Sequence, residues 1–142
     1  LNIIDMKLDI KYSNKIEKIK AEFNNLYPFL KIEFFNTPHG PGEPSSKKDM
    51  INDNVKFGDI KGMIKEGIIS IDPADKVSTV EQSFQQQFGL AVQVFRKQKD
   101  VWIETTKTVH LTLAEQNEKG KSFSAAENYT EPGDRYLEDG QY

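Results

Sequence analysis

Residues 8–35, LDIKYSNKIEKIKAEFNNLYPFLKIEFF, and residues 69–95, ISIDPADKVSTVEQSFQQQFGLAVQVF, decide how this chain folds. At an offset of 61, Leu8 falls on Ile69, Ile10 on Ile71 and Lys15 on Lys76. Ile16 then matches Val77, Ile19 matches Val80, Phe23 matches Phe84 and Tyr27 matches Phe88. One residue drops out near Pro28 and Gly89. Beyond it Leu30, Ile32 and Phe34 match Leu90, Val92 and Val94 at an offset of 60.

The period of the apolar residues changes along each stretch. Leu8 and Ile10 alternate, as in a strand with one buried face. Ile16, Ile19, Phe23 and Tyr27 step by three and four, which places them on one helical stripe. Leu30, Ile32 and Phe34 alternate again. Each half, about 6–36 and 67–96, therefore predicts strand–helix–strand, and the matches predict that one unit was duplicated. Ser78 with Glu81 has the spacing of a capping box at a helix start, and Asn14 with Glu17 is its counterpart. Gly89 suits a left-handed helix end, and Pro28 stops the first helix.

Two such halves build most economically into an α+β, ferredoxin-like βαββαβ sandwich, with strands ordered 4-1-3-2 and the segment 101–106 returning as an extra edge strand. A ubiquitin-like or other mixed α+β roll is the alternative. The connecting stretch NTPHGPGEPSSKKDMIND reads as a mobile surface loop. NVKFGDIKGMIKEG reads as a short or irregular helix, with Phe57, Ile60 and Ile64 at helical spacing. In LTLAEQNEKGKSF, Thr112 and Glu115 form another capping box and Gly120 is a stop. The reading is one domain over residues 1–124, followed by an acidic, loosely held tail at 125–142.

The lone tryptophan lies in VFRKQKDVWIETT. With KQKD as the turn, Val94 opposes Ile103 and Phe95 opposes Trp102. Phe35, Phe95 and Trp102 then share the sheet face turned away from the helices. That face either holds the hairpin together through cross-strand pairs or forms a contact surface, the partner being a second copy, another protein or the chain's own tail. RNA recognition by such a sheet needs aromatics on its central strands. The equivalent positions here are Lys7, Asp9, Lys11, Ile68, Ser70 and Asp72, so no nucleic-acid partner is expected.

The 142 residues carry a net charge of −3 and no cysteine. Disulfides and thiolate chemistry are thereby excluded, and a cytoplasmic setting is expected. Residues 125–142 hold five acids against Arg135, leaving a nearly neutral body that gives no electrostatic reason to bind nucleic acid. No apolar run reaches the roughly 18 residues of a membrane span, so no membrane partner is expected. His39 and His110 lack metal-ligand neighbours at helix or hairpin spacing, and His39 with Glu43 falls short of a ligand set. No nucleophile elbow, phosphate loop or other catalytic or cofactor motif is present.

The run FGLAVQVFRKQKDVWIETT, followed by LTLAEQNEKG, resembles a group of short, uncharacterised bacterial proteins, as do FLKIEFF, PHGPGE and KFGDIK in the first half. The resemblance implies a shared architecture over most of residues 6–121 and transfers no site. The expected function is a small protein-interaction or regulatory module that assembles through its sheet as a homodimer or with another protein, with Phe35, Phe95 and Trp102 in contact. The alternative is a small-ligand sensor or enzyme with a pocket at the strand–helix loops or beneath residues 39–66.

Overall fold

The computed structural model describes residues 6–40 and 42–125. The two apolar stretches form β1 (Lys7–Ile10), α1 (Ile16–Leu26) and β2 (Leu30–Phe35), then β3 (Gly67–Ser70), α2 (Val77–Phe88) and β4 (Ala91–Gln98). β5 (Val101–Glu104) and α3 (Leu113–Ala125) follow, and Lys47–Asp49 and Phe57–Asp59 are single 3₁₀ turns. The acidic tail beyond Ala125 lies outside the described residues. Among those residues no helix is long and apolar enough to cross a membrane.

The fold class is α+β, but the strands do not form one sheet in the order 4-1-3-2. β1 pairs with β3, and β2, β4 and β5 form a second antiparallel sheet. The physical reason lies at the edges of β2. One edge pairs with β4 over its whole length. The other is taken by the connection itself, where Ile51 donates to the Phe34 carbonyl at 2.8 Å and Asn36 to the Asp49 carbonyl at 2.8 Å. β3 is left with no edge of β2 to join.

The β1–β3 and β2–β4 ladders each pair a strand with its counterpart in the other half. Leu8 lies opposite Ile69, and Glu33 lies opposite Gln93, which are matching positions at offsets of 61 and 60. The helix starts correspond as well. Ile16 and Glu17 donate to the carbonyls of Val55 and Asp53, and Val77 and Ser78 donate to those of Leu111 and Val109. Backbone bridges join Lys15 to Lys56 and Lys76 to Thr112. Both helices thus satisfy their first orphan N–H groups with a following segment of backbone, and neither has a side-chain cap. The capping boxes expected at Asn14–Glu17 and Ser78–Glu81 are absent for that reason. The third one forms, with Thr112 N donating to Glu115 Oε1 at 2.9 Å and Glu115 N to Thr112 Oγ1 at 3.1 Å.

The helical stripes and the inward faces of both sheets merge into one apolar core. Phe34 sits edge-on to Phe57 and Phe84, with ring centroids 5.3 and 5.8 Å away. Each such buried aromatic contributes on the order of 1.5–3 kcal/mol. Phe57 and Ile60 join the core, whereas Ile64 is 63% exposed, because the segment makes a single 3₁₀ turn instead of continuing as a helix. α2 ends at Gly89, whose φ of 70° closes the helix in the left-handed conformation read from the sequence.

Gly120 does not stop α3; it lies within the helix, which runs on to Ala125. A Cβ there would meet Phe29 Cβ at 2.7 Å, Arg96 Cγ at 3.1 Å and the Lys97 carbonyl at 3.1 Å. The glycine lets α3 lie directly on β4. Beneath it Arg96 is fully buried, its Nη1 donating to Gln116 Oε1 at 2.9 Å, while Gln116 Nε2 donates to the Thr108 carbonyl and hydroxyl.

Glycine-to-alanine changes inside exposed helices stabilise by about 1 kcal/mol. Gly120→Ala is expected to do the reverse, lowering stability by roughly 1–3 kcal/mol through overpacking, read as a lower urea midpoint with an unchanged slope.

Candidate functional site

The hairpin is tighter than expected. Gln98 pairs with Val101 and Lys97 with Trp102, so the turn is Lys99–Asp100, with Lys99 at φ 56°. Ile103 consequently opposes Arg96, not Val94, and Phe95 opposes Glu104. The shift is two residues, so each side chain keeps the face assigned to it. Trp102 ends up diagonal to Phe95, and the two do share a cluster with Phe35, Ala91 and Met50.

That cluster is largely interior. Phe95 is 0% and Phe35 2% exposed, and only Trp102 of the three remains partly open. Part of the connecting stretch read as a mobile surface loop, Ser45 and Met50 among it, contributes to the cover. Ser45 is buried and its hydroxyl donates to Gln93 Oε1 at 3.0 Å on the same face. Lys31, opposite Phe95 on β2, carries its ammonium 5.4 Å from the Phe95 ring centre and 5.1 Å from that of Trp102. The two aromatics form a π-lined wall for that charge, an arrangement contributing about 0.5–2 kcal/mol. Lys31 also meets Glu33 at 3.3 Å, and Glu33, itself buried, accepts from Lys20 at 2.7 Å. Lys20 reaches Asp53 at 2.7 Å as well. Burial lowers the Lys31 ammonium below its ordinary range, with Glu33 partly opposing that. Burial also acts on Lys20, but its hydrogen bonds to Asp53 and Glu33 outweigh it and raise that group.

A second cluster lies where β5 ends. β5 stops at Glu104, opposite Phe95, which leaves the backbone of β4 at Val92 and Val94 without a ladder partner on that side. Three side chains complete it. Glu81 Oε2 accepts from Val94 N at 3.0 Å, Thr105 Oγ1 donates to the Val94 carbonyl at 2.9 Å, and His39 Nε2 donates to the Val92 carbonyl at 2.6 Å. His39 Nδ1 lies 2.9 Å from the Gly40 carbonyl. Carbonyls only accept, so the neutral ring satisfies one of these contacts and the imidazolium both.

Glu81 is 6% exposed, and its second oxygen, Oε1, has no hydrogen-bond partner. Burial pushes its carboxyl up to about 7. The Val94 N–H and the neighbouring His39 pull it the other way, and Glu104 adds repulsion. Beside it opens a cavity of about 110 Å³, lined by His39, Ser78, Glu81, Gln82, Gln85 and Gln86 with Ala91 and Val92 at its base. Gln82, Gln85 and Gln86 are exposed and form the mouth. His39 and Glu81 supply two ligands, and among the described residues no group of three His, Cys, Asp or Glu could hold a metal ion.

Spacing carried a signal for Glu81. At about 100° per residue it falls at the edge of the stripe of Val77, Val80, Phe84 and Phe88, next to the helical face that forms the core. Reading it as a cap partner hid that. His39 carried no such signal, since its partner Val92 is 53 residues away.

Because the folded state holds the Glu81 proton to higher pH than the unfolded chain does, stability is greatest below the ordinary carboxylate range. It declines as pH rises through about 7 and levels off above. Relative to Glu81→Gln, whose amide oxygen still accepts from Val94 N, the wild type is expected to lose roughly 1–3 kcal/mol between pH 5 and 8. Urea titrations of both proteins across that range check it; parallel curves would contradict it. No protein-family model, curated protein or solved structure matches this chain.

Proposed function

We propose that this protein is a small-ligand binding module, a sensor in character, whose recognition site is the cavity between α2 and the segment around His39. One observation carries the reading: a buried ionisable side chain, Glu81, lines a cavity whose mouth is polar. A carboxyl held at about 7 is also a common mark of a functional site. Gln82, Gln85 and Gln86 are exposed at the mouth, where their amides can orient a guest.

The test is a titration of amide resonances with small polar compounds of four kinds: amines, alcohols, amides and carboxylates. Shifts are expected to saturate and to cluster at Ser78, Glu81, Gln82, Val92 and Val94. If none of the four kinds moves these resonances, the cavity is not a recognition site.

Assembly through the sheet face is the second reading, favoured by the half-buried Trp102 on the short edge strand. Burial of Phe35 and Phe95 narrows its contact to Trp102 and the neighbouring Val101. It expects a dimer in sedimentation that Trp102→Ala converts to a folded monomer; a wild-type monomer at all concentrations removes the homodimer. The same proposal includes common descent of the two halves, which the like-with-like pairing of Leu8 with Ile69 and of Glu33 with Gln93 supports.

A further inference from the structure

β1 and β3 form a sheet of two strands, so each has one edge outside the ladder. Ile71 N donates to the Met6 carbonyl at 2.8 Å, which adds Met6 and Ile71 to the β1–β3 register as a hydrogen-bonded pair. Such pairs alternate along an antiparallel ladder. Met6, Leu8 and Ile10 therefore turn their backbone groups toward β3, and Lys7 and Asp9 turn theirs to the other edge. Among the described residues no hydrogen bond reaches the backbone of Lys7 or Asp9 on that side. Both side chains are exposed, while Leu8 and Ile10 face the core.

An open strand edge is a template for another strand, and charged side chains commonly block it because an edge of one sign repels its own copy. This edge carries both signs in alternation. In an antiparallel pairing about a two-fold axis at Leu8, Lys7 stands opposite the partner's Asp9, and Asp9 opposite the partner's Lys7. Each opposed pair turns its N–H and C=O to the shared edge, as a hydrogen-bonded pair requires. Sliding the partner by two residues sets Lys7 on Lys7 or Asp9 on Asp9. Sliding it by one sets outward-bonding residues against residues already bonded to β3. A single register thus satisfies both charge and backbone. Asp9 also has Lys11 at 3.6 Å and Lys18 of α1 nearby, but these are exposed contacts of the kind that contribute little. We propose that β1 is a self-recognition edge, through which two copies of this chain pair β1 to β1 and join their sheets into one of four strands. The contact is isologous and closed by its two-fold axis. It is independent of the cavity and lies on the other sheet from Trp102.

The test is sedimentation of the full chain across a concentration series, with the Lys7, Leu8 and Asp9 amide resonances followed over the same series. The expected result is a reversible dimer whose population tracks shifts at those three amides. Lys7→Asp and Asp9→Lys each set like charges opposite one another and are expected to weaken the dimer by about tenfold. Mixing the two variants in equal amounts is expected to restore it, because every lysine at the edge then meets an aspartate. Trp102→Ala is expected to leave the dimer unchanged. Both charge variants alter exposed side chains, and an unchanged circular dichroism spectrum confirms that they fold. A wild-type monomer at every concentration overturns the proposal, as does a dimer that neither charge reversal weakens. So does a mixture that associates no more tightly than its separate components. A dimer lost in Trp102→Ala puts the contact on the other sheet and overturns it too.

Discussion

Every buried backbone N–H and C=O of β4 must find a partner, and the molecule is organised around meeting that demand. One edge of β4 is met by β2 along its length. The other is met by β5 only as far as Phe95, and beyond that point by side chains brought from α2, from the connection after β2 and from the residue after β5. Completing an edge with Glu81, His39 and Thr105 gathers ionisable groups at a place a longer β5 would have sealed with backbone. The cavity is a by-product of a strand that ends early.

The two halves solve the same local problem with opposite charges. Lys20 and Glu81 occupy matching positions on α1 and α2, and each leans toward its sheet from the edge of the apolar stripe. Lys20 meets Glu33 and Asp53, so its charge is balanced within the chain. The residue matching Glu33 is Gln93, which carries no charge, and Glu81 instead bonds the Val94 N–H and keeps one oxygen unmatched. A buried charge must be paired, hydrogen-bonded or neutralised by its own proton. The first half takes the first course and the second half the last.

The aromatic face illustrates the same economy. Phe95 and Trp102 flank the Lys31 ammonium, and Lys31 in turn shares Glu33 with Lys20. An open sheet would have exposed these rings. The connection after β2 helps to close it through Ser45 on Gln93 and His39 on Val92. A connection rich in glycine, proline and serine reads as a surface loop because those residues mark turns and breaks in regular structure. Its few polar anchors are what place it against the sheet.

By itself, the sequence determined the elements and their faces. The period of Leu8 and Ile10, the stripe from Ile16 to Tyr27 and their counterparts assigned strands, helices and inward residues, because periodicity is a local property that burial on one side enforces. It also located the Thr112–Glu115 cap and the left-handed Gly89. Tertiary structure decided the rest. Which strand joins which depended on the Asp49–Ile51 segment occupying the edge of β2, a pairing of distant backbone groups that no local pattern records. The same held for the helix starts, where carbonyls of Asp53, Val55, Val109 and Leu111 displaced the side-chain caps and released Glu81 to the interior. The fate of that carboxyl follows from where β5 stops relative to β4, and only the assembled sheet fixes that.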